Sequence, residues 1–172
     1  MTLVLSGDSP SFSGTFQGGT LTLGTAQNTT SGTAIDFTGI PSWAKRITVM
    51  FNGVSVQASQ PRVQLGSGSV ATTGYSGAAG TAASNSAFSN GFDVPSTFAN
   101  SGNNFNGHMV FTLLGSNTWV CGIAMGSSGV SNLYISGGGA VTLSGALDRV
   151  RLTTVNGTDT FDAGSVNILY EG

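Results

Sequence analysis

The sequence predicts an all-β fold, a sandwich or a barrel, and three observations support this prediction. Apolar and polar residues alternate in several short runs, which is the period of a strand with one buried face. The chain has 27 glycines and only 4 prolines, a balance that favours tight turns and bulges. Long amphipathic stretches bounded by helix caps are missing from the sequence. At 172 residues, one main domain is expected.

Residues 1–31 are predicted to form strands, an arm or a linker, and the sandwich domain is assigned to residues 32–172. The segments Leu3-Val4-Leu5 and Thr20-Leu21-Thr22-Leu23 have strand character, and a loop containing Pro10 separates them. Because this region is low in complexity, three interpretations stay open: an edge strand, a linker, and an arm that pairs with a neighbouring subunit.

The strongest strand signal is residues 46–57, in which Ile47, Val49 and Phe51 share one face. Asn52-Gly53 lies inside this run and predicts either a hairpin turn or a β-bulge. Shorter strands are predicted on either side of it, at residues 33–40 and 62–65.

Residues 66–107 are dominated by Gly, Ser, Ala, Thr and Asn. Irregular loops with one short strand near residues 86–92 are expected there. Loops on a rigid scaffold are where binding residues collect, so this stretch is a candidate binding surface.

Regular alternation returns at His108. Strands are predicted at 108–115, 117–125, 131–138 and 141–143, which gives roughly ten strands in all, with turns about every 8–12 residues. The final runs, residues 147–155 and 165–170, predict a β-hairpin or two sheet strands joined by a loop.

Within the first of these runs, Val150 and Leu152 share one face and Arg149 and Arg151 share the other. The two arginines are expected to be solvated or paired with Asp148 or Asp36. A contact between subunits is the alternative.

The charge composition argues against several classes of partner. Only 7% of residues are charged, against about 25% in an average soluble protein, and the net charge is −2. Five scattered cations cannot assemble a nucleic-acid-binding patch, so no nucleic acid is expected. No apolar run reaches the ~18 residues of a membrane-spanning helix, so no membrane insertion is expected. The single cysteine excludes an intrachain disulfide.

Lysine is almost missing from the chain. Sheet proteins commonly protect edge strands with lysine, proline or bulges, and here Lys45 is the only lysine. The edges are therefore expected to be covered by other chains, which predicts a homo-oligomer.

Three blocks of sequence carry a more specific signal: GTAIDFTGIPSWAKRITVMFNGVS (32–55), GSNTWVCG (115–122) and LDRVRLTTVNGTDTFDAGSVNILYE (147–171). They resemble a C-terminal domain of bacteriophage tail-fibre and related virion appendage proteins. The resemblance implies an antiparallel, jelly-roll-like β-sandwich that forms a homotrimer and is displayed on a virion. There it would contact a host-surface receptor, a glycan for example, and other virion proteins. It implies no catalytic residues and no cofactor, and it does not extend to residues 66–107.

Candidate chemical groups favour a non-enzymatic protein. His108 is the only histidine, and no nucleophile motif or metal-ligand spacing positions a partner for it. Cys121 is expected in the core. Asp159 and Asp162 are the only close acidic pair in a loop, and they predict Asx turns, with a weak calcium site as the alternative.

Three aromatic residues are the candidates for glycan binding, because sugars stack on exposed aromatic rings. Tyr75 lies in the Gly-rich loop GYSG and is expected to be exposed. Trp43 lies at a break between two strands. Trp119 lies within a strand, where burial is expected. The sequence thus predicts a host-recognition domain of a tail fibre, with a purely structural virion assembly module as the alternative.

Overall fold

The computed structural model describes residues 20–130 and 132–172, and this part of the chain folds into two antiparallel β-sheets. One 3-10 turn, Ser96–Phe98, interrupts the strands. The strands are β1 (Leu21–Leu23), β2 (Gln27–Asn28), β3 (Ala34–Thr38), β4 (Arg46–Val56), β5 (Pro61–Ser67), β6 (Ser69–Val70), β7 (Tyr75–Gly80), β8 (Asn85–Phe88), β9 (Phe92–Asp93), β10 (Asn103–Gly115), β11 (Thr118–Gly129), β12 (Leu133–Thr142), β13 (Arg149–Thr154) and β14 (Phe161–Glu171).

The larger sheet has nine strands in the order β1-β14-β4-β10-β11-β12-β7-β8, with β2 also paired to β14. The smaller sheet has five, in the order β3-β13-β5-β6, with β9 also paired to β5. All pairings are antiparallel. The predicted all-β sandwich is confirmed.

The core lies between the two sheets. Phe92 on β9 links them, because its ring is 5.1 Å from that of Phe111 on β10 and 5.0 Å from that of Tyr75 on β7. Because successive side chains of a strand point to opposite faces, every second residue of each central strand lies in this core. The fully buried side chains of the layer include Ile47, Val49, Met109, Val63, Leu65, Val150 and Leu152.

The stretch 66–107 is more regular than expected. It contributes β6, β7, β8 and β9 as well as the start of β10, where only one short strand near residues 86–92 was predicted. The described residues form fourteen strands in all, against roughly ten predicted, and the two strands predicted at 131–138 and 141–143 are one strand, β12. Small residues allow close packing here: a Cβ on Gly77, or on its partner Gly139 of β12, would lie within 3 Å of the Phe88 ring. Gly and Ala side chains carry little strand propensity of their own, so the sequence hid these strands.

The C-terminal strands do not form a hairpin. β13 belongs to the small sheet and β14 to the large one, so the segment between them crosses from one sheet to the other. This corresponds to the second predicted alternative, two sheet strands joined by a loop.

Asn52-Gly53 forms a bulge inside the single strand β4. Gly53 has a φ of 63°, and the register of β4 shifts beside it against both neighbouring strands, β10 and β14. Of the two alternatives for this dipeptide, the β-bulge is the correct one.

Residues 20–31 lie at the edge of the large sheet, where β1 and β2 pair with β14. The predicted strand at Leu3-Val4-Leu5 and the loop that follows it fall outside the described residues.

Candidate functional site

The outward face of the small sheet carries a polar cleft of about 380 Å³. Strand alternation builds it: Val63, Leu65, Val150 and Leu152 face the core, so Arg62, Gln64, Arg151 and Thr153 face outward. Register brings them together, because Arg151 is paired with Gln64 and Thr153 with Arg62 across β13 and β5. The volume is within the range of small-ligand sites.

Arg62 donates three hydrogen bonds within the wall of the cleft. Its Nε donates to Asp93 Oδ1 at 2.6 Å and its Nη2 to Asp93 Oδ2 at 2.8 Å, a two-point ion pair whose side chains are only 14% and 16% exposed. Nη1 donates to the carbonyl of Val155 at 3.2 Å, which ties the β13–β14 connection to β5. These bonds fix the guanidinium plane as part of the cleft wall.

Gln64 is buried although it is polar and lies on an outward strand position, with 6% exposure. Its Nε2 donates to the carbonyl of Asn90 at 2.7 Å, so the loop after β8 covers it. A side-chain amide locked in this way keeps its orientation, which is what a binding site for hydrogen-bonding ligands requires.

Arg151 forms the second two-point pair, with Asp36 on β3. Its Nε and Nη2 donate to the two carboxylate oxygens, both at 2.7 Å. The hydrogen bond from Arg151 holds the pKa of Asp36 below its usual value, and desolvation opposes that shift. Arg149 pairs with Asp148 at 2.8 Å. The predicted pairing of both arginines with these two aspartates is confirmed.

The rim of the cleft comes from three connections. The Asn156-Gly157 turn closes one side, and Asn156 Oδ1 accepts hydrogen bonds from the backbone amides of Thr158 and Asp159, both at 3.1 Å. Thr72 and Asn90, from the Gly-rich stretch, complete the rim. Among the described residues, the side-chain Nδ2 atoms of Asn90 and Asn156 and the hydroxyl of Thr72 donate no hydrogen bond to protein, and all three residues are exposed, so these groups are available to a ligand.

The chemistry of the cleft suits a neutral, hydroxyl-rich ligand. Each arginine is neutralised by its own aspartate, so the site offers oriented amide, hydroxyl and guanidinium groups without excess positive charge. A carbohydrate presents hydroxyls that both donate and accept, which matches such a set.

Tyr75 is not an exposed platform, and that prediction is wrong. Its side chain is 4% exposed at the start of β7, and its hydroxyl accepts from the Leu65 amide at 2.9 Å and lies 2.9 Å from the Ala71 carbonyl. Burial raises its pKa to about 12. The glycines around Tyr75 suggested a loop. In the structure, glycines such as Gly77 and Gly80 lie in the sheet, where a Cβ would have no room.

The two tryptophans differ in exposure. Trp119 is 2% exposed, so the prediction of burial is confirmed. Trp43, in the β3–β4 connection, is 40% exposed, and its ring lies 5.7 Å from that of Tyr170 in a tilted arrangement. Neither tryptophan lines the polar cleft, so the structure does not unite the three predicted aromatic residues in one site.

The two side chains that could take part in nucleophilic catalysis, His108 and Cys121, do not meet. His108 is exposed on an outward position of β10, whereas Cys121 points into the core from the neighbouring strand, so the two cannot form a catalytic pair. Burial raises the pKa of the Cys121 thiol, as expected for a core cysteine. Among the described residues, no group of three or more His, Cys, Asp or Glu side chains could hold a metal ion.

Sequence reasoning missed the cleft residues Arg62, Gln64, Asn90 and Asn156. Arg62 and Gln64 alternate with two apolar residues, which marks them as outward-facing. Only the register between β5 and β13 places them beside Arg151 and Thr153, and that pairing spans about ninety residues of chain.

No known protein family matches this sequence, and comparisons with curated proteins and with solved structures give no match. In the part of the chain described here, no helix is long and apolar enough to cross a membrane.

Proposed function

We propose that this protein is a non-enzymatic, homotrimeric domain of a bacteriophage tail fibre or related virion appendage, and that it binds a host-surface glycan. The polar cleft on the small sheet is the observation that carries the glycan assignment. The three sequence blocks that resemble tail-fibre domains support the virion location.

Recognition in this proposal depends on hydrogen bonds. Asn90, Asn156 and Thr72 contact sugar hydroxyls from the rim, while Arg62 and Gln64 form the preoriented floor and wall. A single shallow site of this kind binds weakly, and three copies on one fibre raise the overall avidity by roughly a hundredfold or more.

The test is binding of fluorescently labelled protein to a panel of bacterial strains and to an array of bacterial surface oligosaccharides. The cleft variant is Thr72→Ala/Asn90→Ala, which removes rim groups without touching the buried ion pair. The control is Asn28→Ala/Thr97→Ala, which makes the same changes at exposed positions outside the cleft.

We expect the natural protein to label a subset of strains and the cleft variant to lose roughly 5- to 150-fold in affinity, because each of its two lost hydrogen bonds costs about 0.5–1.5 kcal/mol. The control keeps full binding. Equal binding by both variants would exclude the cleft as the receptor site. Labelling of no strain, combined with binding to other virion proteins, would support the alternative, a structural assembly module.

A further inference from the structure

We propose that Asn90, on the rim of the polar cleft, is a site of spontaneous covalent modification, at which the side-chain amide is converted to a carboxylate as aspartate or isoaspartate. The modification itself goes beyond the proposed function and depends only on the chemistry of this chain. Its effect on sugar binding rests on the proposed function and is tested separately.

The chain contains four Asn-Gly dipeptides, at residues 52–53, 90–91, 106–107 and 156–157. In such a dipeptide the backbone nitrogen of the glycine attacks the side-chain carbonyl carbon of the asparagine, because no Cβ hinders the approach. The attacking nitrogen must be free of hydrogen bonds, and the side chain must rotate toward it. The folded structure therefore decides which of the four dipeptides reacts.

The reaction at Asn90 needs water as its only co-reactant. The Gly91 nitrogen loses its proton to solvent and forms a bond to Cγ of Asn90, and the carbonyl electron pair moves onto Oδ1. The pair returns as the Cγ–Nδ2 bond breaks, and Nδ2 leaves as ammonia with one proton taken from water. Water then opens the five-membered succinimide at either of its two carbonyl carbons, which gives aspartate or isoaspartate.

The attacking amide, that of Gly91, is free in the fold. Among the residues that the structure describes, it donates no hydrogen bond. The register between β5 and β9 explains this. The Val94 amide donates to the carbonyl of Pro61 at 3.0 Å, and bonded and unbonded positions alternate along an antiparallel pair. Three residues before Val94, the amide of Gly91 therefore points away from β5.

The side chain of Asn90 is also prepared for the reaction. Ser89 Oγ donates to Asn90 Oδ1 at 2.7 Å. This hydrogen bond stabilises the negative charge that gathers on Oδ1 when the carbonyl is attacked. Asn90 is exposed and its Nδ2 donates to no described residue, so water reaches the leaving group and protonates it.

The β8–β9 connection is held through a carbonyl and not through the reacting amide. Gln64 Nε2 donates to the Asn90 carbonyl at 2.7 Å. Gly91 is buried against the side-chain stem of Arg62, so the attack takes place in brief openings of this connection. Such an opening frees the Gly91 amide without breaking any hydrogen bond that it donates.

The dipeptides at 52–53 and 106–107 lie inside β4 and β10 and are protected by the sheet. The Gly53 amide donates to Asn106 Oδ1 at 2.8 Å. One hydrogen bond thus holds the attacking nitrogen of the first dipeptide and the side chain of the second. Gly107 lies in the middle of β10, with β4 on one side and β11 on the other. Both dipeptides react only when the sheet opens.

The dipeptide at 156–157 lies in an exposed turn but is held at both reacting groups. The Gly157 amide donates to the carbonyl of Thr154 at 3.1 Å. Asn156 Oδ1 accepts from the Thr154 hydroxyl and from two backbone amides, all at 3.1 Å. The side chain turns toward its own following amide only after this turn comes apart. Among the four dipeptides, the structure therefore favours reaction at Asn90.

The modification changes the chemistry of the cleft rim. Asn90 loses its side-chain donor and gains a negative charge. The isoaspartate form also lengthens the backbone and displaces the carbonyl that Gln64 holds. The rim of the cleft therefore changes from neutral to acidic as the protein ages.

The test is peptide mapping by mass spectrometry on the full chain, incubated for increasing times in mildly alkaline buffer. It gives a conversion rate at each of the four asparagines. The same incubation in urea supplies the reference rates, because all four dipeptides are free in the unfolded chain. Asn90→Gln is the matched control, since it keeps the amide but its longer side chain does not form the five-membered ring. Ser89→Ala removes the hydroxyl that donates to Oδ1.

We expect Asn90 to convert first in the folded protein, with the other three asparagines slower by at least about 2- to 13-fold, because a hydrogen bond must first be broken at each of them. Ser89→Ala should slow conversion at Asn90 by about 2- to 13-fold in the folded protein and much less in urea. A faster rate at any of the other three asparagines, or no conversion at Asn90, would overturn the proposal. An unchanged rate in Ser89→Ala would overturn the assistance by its hydroxyl.

The modification and the glycan site fail in distinguishable ways. Loss of cell labelling by the aged natural protein, while Asn90→Gln aged in parallel keeps its starting level, would support both. Conversion at Asn90 without any change in labelling would support the modification and exclude Asn90 as a ligand contact. Full labelling with no conversion at Asn90 would overturn the modification and leave the glycan site standing.

Discussion

Tyr75 shows how one residue can be essential to the sandwich in a place where the sequence suggests a loop. Its ring packs edge-on against Phe92, and its hydroxyl satisfies the buried Leu65 amide. Tyr75, on β7 of the large sheet, is therefore hydrogen-bonded to β5 of the small sheet.

Replacing Tyr75 with Phe keeps the ring and removes this acceptor. We expect the free energy of unfolding to fall by about 1–3 kcal/mol, because the buried Leu65 amide is left without its hydrogen-bond partner. Urea unfolding measures this loss. Binding of the labelled protein to cells should not change, and a specific loss of binding in a fully stable variant would restore Tyr75 as a ligand contact.

Trp43 could be recognised from the local sequence as a candidate exposed residue, whereas the residues of the polar cleft could not be recognised as a site. An exposed aromatic residue is recognisable from its place beside a strand break, and Trp43 is in fact partly exposed. A polar site assembled from Arg62, Gln64 and Asn156 is not recognisable, because each of these residues has an ordinary local sequence and only long-range register brings them together.

The β4–β14 pair contains two glycines whose backbone conformation is constrained by the strand opposite. Gly53 and Gly164 face each other across a double bulge, with φ angles of 63° and 92°. A Cβ on Gly164 would clash with the backbone of Gly53, whereas a Cβ on Gly53 would have only one contact, at 4.0 Å.

The same substitution at these two glycines should therefore have unequal effects. Gly53→Ala costs about 1–2 kcal/mol, because an L-residue is strained at positive φ. Gly164→Ala adds roughly 1–3 kcal/mol of steric overlap to a similar strain. Thermal or urea unfolding of both variants checks the difference, and equal losses would show that the bulge rearranges to make room.

The sequence predicted the positions of some strands much better than those of others. β4, β10, β11 and β13 alternate bulky apolar with polar residues, and each of them was predicted close to its observed position. β7 and β8 consist largely of Gly, Ala and Ser, so their hydrophobic contrast is too weak to show a period of two. β7 is held between β12 and β8, and β8 pairs with β7 at the sheet edge, where the Phe88 ring packs closely over Gly77 and Gly139.

At the scale of the whole molecule, the two outer faces have opposite character. The small sheet presents Arg62, Arg149 and Arg151 with their aspartate partners, and the large sheet presents mainly uncharged side chains. Composition predicted an oligomer through the scarcity of lysine, but it could not assign the faces. That assignment required the strand order, which decides the sheet to which each strand belongs.

The scarcity of charge also limits how stability depends on pH. Asp36 and Asp148 accept hydrogen bonds from Arg151 and Arg149, and these bonds lower the pKa of each carboxyl in the folded state. A carboxyl with a lowered folded-state pKa contributes stability above its unfolded pKa of about 3.9, and that contribution is lost as pH falls through the folded value. Stability should therefore depend on pH mainly at acidic pH, where these carboxylates become protonated.

We expect the thermal midpoint to be nearly constant between about pH 5 and 8 and to fall below about pH 4. Asp36→Asn should lower stability at neutral pH by no more than about 1 kcal/mol, because the Arg151 pair is partly exposed and screened by water. The difference from the natural protein should shrink as pH falls through the lowered folded-state pKa of Asp36, because below it the carboxyl is protonated in both states. Thermal unfolding followed by circular dichroism from pH 2 to 8 measures both curves. A difference that stayed constant down to pH 2 would mean that Asp36 stabilises the fold through packing and not through its charge.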